Sequence, residues 1–157
     1  MKNHDESLIN ILGEHWQLLM NSLKTLKLSV EKCKQIGKKE AYTFSEMESF
    51  DSLTSKFGRT SDMYTQKVLR TCWMLLHEPF VPFIDMINQC EKMKLIESAD
   101  TLVEIRDLRN QIAHEYIPEA IQELVPDVTE YSSHLEKNIH CTKKFLSARK
   151  WLLKNVE

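Results

Sequence analysis

Between residues 9 and 33 an apolar side chain stands at Ile9, Leu12, Trp16, Leu19, Leu23, Leu26, Val30 and Cys33, in alternating steps of three and four. A period near 3.6 brings all of them to one side of a helix, which no strand could do. Such a seam has to be covered along its whole length, so its partners must be long as well. A coiled-coil helix from another chain and one wall of an antiparallel bundle both meet that demand. The bundle is favoured because further long helical stretches follow in the same chain. The expected first helix runs from about Asp5 to Gln35 and stops before Gly37.

Composition points the same way. Three glycines and four prolines among 157 residues leave few places to turn, so the helices have to be long. With 42% hydrophobic and 28% charged residues the balance is that of a globular protein, and the length suits one domain over residues 1–157. No stretch alternates convincingly enough for a strand. The expected fold is all-α, an antiparallel helical bundle of four long helices plus one or two short ones.

A second helical region spans about Ser45 to His77, with Gly58 as a candidate kink. Met47, Phe50, Phe57, Tyr64, Val68, Cys72 and Leu75 are its inward residues. Pro79 and Pro82 then turn the chain into a short helix to about Met93, with Phe83, Met86, Ile87 and Cys90 inward. Another helix starts at Ser98, a plausible N-cap with Asp100 in the first turn. Pro118 is expected to end it. A short segment to Val125 and a new start at Pro126-Asp127 follow. The last helix reaches to near Val156 through Val128, Tyr131, Leu135, Ile139, Phe145, Leu146, Leu152 and Leu153.

The formal net charge of −2 offers no whole-molecule attraction to nucleic acid, so any RNA contact has to come from a local patch. Cys33, Cys72, Cys90 and Cys141 are widely spaced, without C-x-x-C and without histidine at ligand spacing. They read as buried thiols of a reducing compartment, not as a disulfide framework or zinc site. The start lacks a signal peptide's apolar core, and no apolar run approaches ~18 residues. The expectation is a cytoplasmic protein with no membrane segment, no metal and no cofactor. There is no Gly-rich phosphate loop, no G-x-S-x-G and no paired-carboxylate signature.

The chemistry that remains is concentrated in Arg106 to Tyr116. Ile105, Leu108 and Ile112 form the core side of the Ser98 helix. Arg106, Arg109, Asn110, Ala113, His114 and Tyr116 fall within an arc of about 160° on the other side. Asn and His are poorer helix formers than the Glu, Lys and Gln of an ordinary solvated face, so propensity does not explain this set. Arg109 is a permanent cation suited to phosphate, and His114 is a proton-transfer group near neutral pH. Together they are the minimum kit for cleaving a phosphodiester without metal. The plainer reading makes Arg and His dipole complements and Tyr116 a packing residue against Pro118. If the helix continues to Pro118, Tyr116 lies about 20° from Arg109 on the same face.

Lys56, Arg59, Lys67 and Arg70 fall within about 80° of arc if the second helix runs straight through Gly58. Such a stripe can hold phosphates. It can equally be a solvated face with internal ion pairs such as Arg59 with Asp62, and that reading is preferred.

Arg109-Asn110-Gln111-Ile112-Ala113-His114-Glu115-Tyr116 fits R-x-x-x-x-H-x-Y, and the chain resembles HepT-like toxins of the HEPN superfamily. The flanks Lys56-Phe57-Gly58-Arg59, Gln66-Lys67-Val68-Leu69-Arg70 and Leu95-Ile96-Glu97-Ser98-Ala99-Asp100 are similar too. The resemblance covers residues from about 45 to 118. It implies a HEPN-like bundle that forms a homodimer, with two motif copies facing across a cleft. It implies metal-independent cleavage of an RNA substrate by its own 2′-hydroxyl. His114 would then be the acid/base group, Arg109 would hold the scissile phosphate and Asn110 would orient His114. Arg106, Arg59, Lys67 and Arg70 are the candidate RNA-binding residues. Tyr116 matches the tyrosine that a cognate nucleotidyltransferase antitoxin adenylylates to silence the toxin. The alternative is a non-catalytic helical binding or regulatory partner of a nucleotidyltransferase.

Overall fold

The apolar seam forms the helix its spacing predicts: α1 spans Lys2–Ile36 in a computed structural model that describes residues 2–152. Leu12, Trp16, Leu19 and Leu26 are wholly buried, each leucine contributing about 1.5–3 kcal/mol of apolar burial. Leu8 takes the buried place expected for Ile9, while Ile9 and Leu23 sit half-buried at the edge. Gly37 closes the helix with φ +71°, its N–H donating to the Cys33 carbonyl at 3.3 Å. That left-handed turn explains a glycine at this position.

Helix α2 (Phe44–Asp62) starts at a capping box. The Thr43 hydroxyl accepts from the Glu46 N–H at 3.1 Å, and Glu46 Oε1 accepts from the Thr43 N–H at 2.9 Å. It runs antiparallel to α1. The Ser22 and Thr60 hydroxyls meet at 2.6 Å, Lys56 donates to Ser29 Oγ at 3.2 Å, and Cys33 lies against the Ser49 carbonyl at 3.5 Å.

The chain does not kink at Gly58. It continues helically and departs from α-geometry only at Met63–Val68, a π turn that leads into α3 (Leu69–Leu75). The Leu69 N–H there reaches back five residues to the Tyr64 carbonyl. A five-residue step takes in an extra residue, so side chains beyond it lag by roughly 100° on the wheel. A Cβ at Gly58 would meet nothing nearer than Arg109 Cγ at 3.9 Å, and Gly58 has no left-handed φ. Gly58→Ala is therefore expected to raise stability by about 0.5–1 kcal/mol. Thermal unfolding checks this, and a loss of stability would show that the Arg109 stem needs the empty space.

Helix α4 (Phe83–Lys92) buries Met86, Ile87 and Cys90. Helix α5 (Ala99–Ala113) starts as expected, with Ser98 Oγ accepting from the Thr101 N–H at 3.2 Å. Its end differs from the expectation. It stops at Ala113 with His114 as C-cap, and Pro118 opens the next helix instead of closing this one. The Glu115 carboxylate accepts from the Tyr116 and Ile117 N–H groups, both at 3.2 Å, and turns the chain. Ile117 is extended, as a residue before proline prefers, and Pro118 takes the first helical position, where its missing N–H costs nothing.

Helix α6 (Pro118–Ala148) then runs unbroken through Pro126, where a fresh start was expected. An interior proline costs ~3 kcal/mol. Burial of Leu124, Val128, Leu135 and Leu146 on the same helix outweighs it at about 1.5–3 kcal/mol each. The helix ends at Ala148, short of the expected Val156; residues 153–157, with Leu153, lie outside the described residues.

Helices α5 and α6 are antiparallel. Tyr131 donates to Glu104 at 2.7 Å, and Asn138 donates to Thr101 Oγ1 at 3.0 Å. Tyr64, fully buried, hydrogen-bonds the Thr142 hydroxyl at 2.6 Å and ties the π turn to α6. Among the described residues there is no strand, and no helix is long and apolar enough to cross a membrane.

All four cysteines are unpaired; Cys33, Cys72 and Cys90 are buried and Cys141 half-buried. Burial pushes the Cys72 thiol up, the Cys90 thiol up to about 12 from 9.0, and the Tyr64 phenol well above 10.0. The folded chain thus keeps protons that the unfolded chain gives up. This contribution to stability is complete below about pH 8–9 and is lost as pH rises toward the folded values. The urea midpoint is expected to be lower at about pH 10.5 than at pH 7, and equal midpoints would contradict it.

Candidate functional site

The residues singled out in the sequence meet, in part, in one groove of about 730 Å³ between α1, α2, the π turn and α5. Arg106, Arg109 and Asn110 come from α5, Arg59 and Asp62 from α2, Gln66 and Lys67 from the π turn, and Leu18 and Ser22 from α1. The reason is local in each case. Ile105 and Leu108 bury one side of α5, which turns Arg106 and Arg109 outward to the groove. The π turn buries Tyr64 and Val68 and leaves Lys67 at the groove with Arg59.

Arg109 is held from one side. Its Nε donates to both Asp62 carboxylate oxygens at 2.9 and 3.1 Å, and its Nη2 donates to Oδ2 at 2.7 Å. These hydrogen bonds to Asp62 raise the Arg109 guanidinium above its ordinary, already high value. The expected Arg59–Asp62 pair is therefore not the one that forms. Three residues along a helix are near enough for a pair, but Arg109 approaches Asp62 across the α2–α5 interface and bonds it through two parallel donors, Nε and Nη2.

Arg106 stacks over Phe83, its guanidinium 5.1 Å from the ring centre, with a long contact of 3.6 Å to Asp107. The groove lining thus carries four cations, Arg59, Lys67, Arg106 and Arg109, against one carboxylate. Charges beyond about 10 Å are largely screened at 0.1 M salt. The local excess, not the chain's −2, sets the potential an anion meets here.

Three sequence candidates lie elsewhere. Arg70 has been carried off the basic stripe by the π turn; it donates to the Val81 carbonyl at 3.0 Å and stacks over Phe80 at 5.0 Å. His114 is exposed at the C-cap of α5, beyond the groove lining. Its backbone N–H donates to the Asn110 carbonyl at 3.2 Å, and no side-chain bond joins the two among the described residues. Tyr116 is 86% exposed in the α5–α6 connection, so it neither continues the Arg109 face nor packs away its ring against Pro118. Lys56, the other member of the stripe, is turned toward Ser29.

Sequence reasoning missed Asp62 as a groove residue, together with Gln66, Ser22 and Leu18. An acid one turn beyond Arg59 was visible, but its partner stands 47 positions away. A second groove of about 760 Å³ lies between α1 and α6, lined by Trp16, Met20, Lys137, His140 and Lys144. It mixes Glu97 and Glu136 with its lysines and so does not gather one sign of charge. Comparison with protein-family models, with curated proteins and with solved structures found no match to this chain.

Proposed function

We propose that this chain is a metal-independent ribonuclease toxin of a toxin–antitoxin pair, with a HEPN-like bundle of the HepT kind that acts as a homodimer. The observation that carries the proposal is the single groove in which Arg59, Lys67, Arg106 and Arg109 face one carboxylate, in a chain of net charge −2. Such a groove suits the phosphates of a single strand. Arg109 would neutralise charge that develops on the scissile phosphate. His114 would take the 2′-hydroxyl proton or return one to the leaving 5′-oxygen. The 2′-oxygen bonds to phosphorus as the 5′-oxygen leaves, so the products are a 2′,3′-cyclic phosphate and a 5′-hydroxyl. A second copy, with its own α5 facing the first, would supply the other proton-transfer group. Leu18, 52% exposed at the groove, and Phe80, 83% exposed, offer apolar surface for it to cover.

The test is incubation of the pure protein with RNA in chelator. Cleavage to cyclic-phosphate ends, with DNA of the same sequence uncut, supports the reading; intact RNA overturns it. The position of His114 outside the groove lining favours a second reading, a non-catalytic binding partner of a nucleotidyltransferase. That reading expects RNA or nucleotide binding with no cleavage.

The exposure of Tyr116 suits a modified residue. A nucleotide attached there would add phosphate charge near the motif and exclude RNA by repulsion and bulk. Tyr116→Phe is expected to stay nucleolytic and to resist silencing by a nucleotidyltransferase partner with ATP. Mass spectrometry of the wild type after that reaction checks the attachment. A partner that silences both forms equally would leave masking of the groove as the mechanism.

A further inference from the structure

We propose that Asp62 is the positioning residue of the groove, holding one edge of Arg109 so that its other edge meets the phosphate. The inference rests on the groove being a phosphate site, as proposed above. A guanidinium has five N–H bonds in one plane. Asp62 takes the Nε–H and one N–H of Nη2, at 2.7–3.1 Å. Three remain, two on Nη1 and one on Nη2, and the outer pair forms the fork that matches two phosphate oxygens. Carboxylate and phosphate therefore occupy different edges of one arginine and need not compete.

Exposure makes a purely structural role a poor explanation. The Arg109 and Asp62 side chains are 35% and 42% exposed, a range in which an ion pair adds little to stability. What the pair does supply is orientation. A free arginine has several rotatable bonds to order when an anion binds, and one clamped along its length has already given up that freedom. The surroundings fit. Asp62 is the last residue of α2, where the π turn begins, and Gly58, one turn earlier, lies beneath the Arg109 stem. The charge that Asp62 cancels is replaced by Arg59, Lys67 and Arg106, which keep the groove attractive to anions.

A competitor, as opposed to a positioner, would have to leave when phosphate arrives, and that difference can be measured. The side-chain Nε–H signal of Arg109, assigned by its absence in Arg109→Lys, is followed by NMR in the full chain. The probe is an oligothymidine strand, which has phosphates but no 2′-hydroxyl and so is not cut. The expected result is that groove signals shift while the Arg109 Nε–H stays slow to exchange and keeps its position at saturation. Asp62→Asn loses that slow exchange, binds the strand as tightly or more tightly, and cleaves RNA roughly 10–100-fold more slowly without a higher KM. A signal that moves on binding to where it stands in Asp62→Asn overturns the inference, as does faster cleavage by that variant, since either makes Asp62 a competitor. Oligothymidine that shifts no groove signal overturns the phosphate-site reading itself, and this inference with it. Neither NMR outcome depends on the protein being an active nuclease.

Discussion

His114→Ala is expected to lower RNA cleavage by roughly 10²–10⁴-fold, the range over which a positioned acid/base group acts. The side chain is exposed at the C-cap of α5, so the loss should come without a fall in melting temperature. RNA affinity should also hold, because the cations that line the groove are elsewhere. Arg109→Lys is expected to fail as well, for a different reason. Lysine keeps the charge but cannot bond Asp62 through two parallel donors and still present a fork to phosphate. The two variants thus separate: both lose the rate, while Arg109→Lys also loosens the groove. Initial rates and binding measured on matched preparations decide it. Equal cleavage by wild type and both variants would identify the activity as a contaminant and sink the nuclease proposal.

Asn138→Ala is expected to cost about 2–4 kcal/mol, among the largest losses from any single polar residue here. Asn138 is 1% exposed, and each of its side-chain groups is used twice. Oδ1 accepts from the Glu97 and Ser98 N–H groups, both at 3.0 Å, while Nδ2 donates to Thr101 Oγ1 at 3.0 Å and the His134 carbonyl at 2.9 Å. Removing it strands two backbone donors just before α5, each worth ~1–3 kcal/mol when left unmade. For a chain of this size that is a fall of roughly 5–15 °C in melting temperature. Because these bonds anchor the start of α5, amide exchange around Ser98 and Thr101 should quicken in the alanine variant. A loss below ~1 kcal/mol would mean that water replaces the amide without penalty.

The helices were legible wherever the signal was periodic and local. The seam of α1, its stop at Gly37, the inward residues of α4 and the Ser98 cap all depend on neighbours within one or two turns, and the sequence displays those neighbours side by side. The Thr43 capping box is equally local, spelled by Thr43 and Glu46 three residues apart. The prolines show where local reading stops. Pro118 can end one helix or begin the next with the same φ, and the Glu115 carboxylate decides between them. Pro126 looks like a break until the burial of Leu124 and Val128 against the rest of the fold is weighed against it.

The candidate site divides along the same line. That α5 carries its cations on the side away from Ile105 and Leu108 follows from the spacing of residues alone, because a helix must bury its apolar stripe. Which acid meets which base, and which cations share a groove, depends on how the helices pack. Asp62 lies one turn from Arg59 yet pairs with Arg109, and Arg70 leaves its stripe because a π turn adds a residue to the helix. Ion pairs follow distance in space, and no local pattern records a 47-residue return of the chain. His114 and Tyr116 stand where α5 has already ended, since the helix stops at the Glu115 turn and not at the proline whose position the sequence made plain.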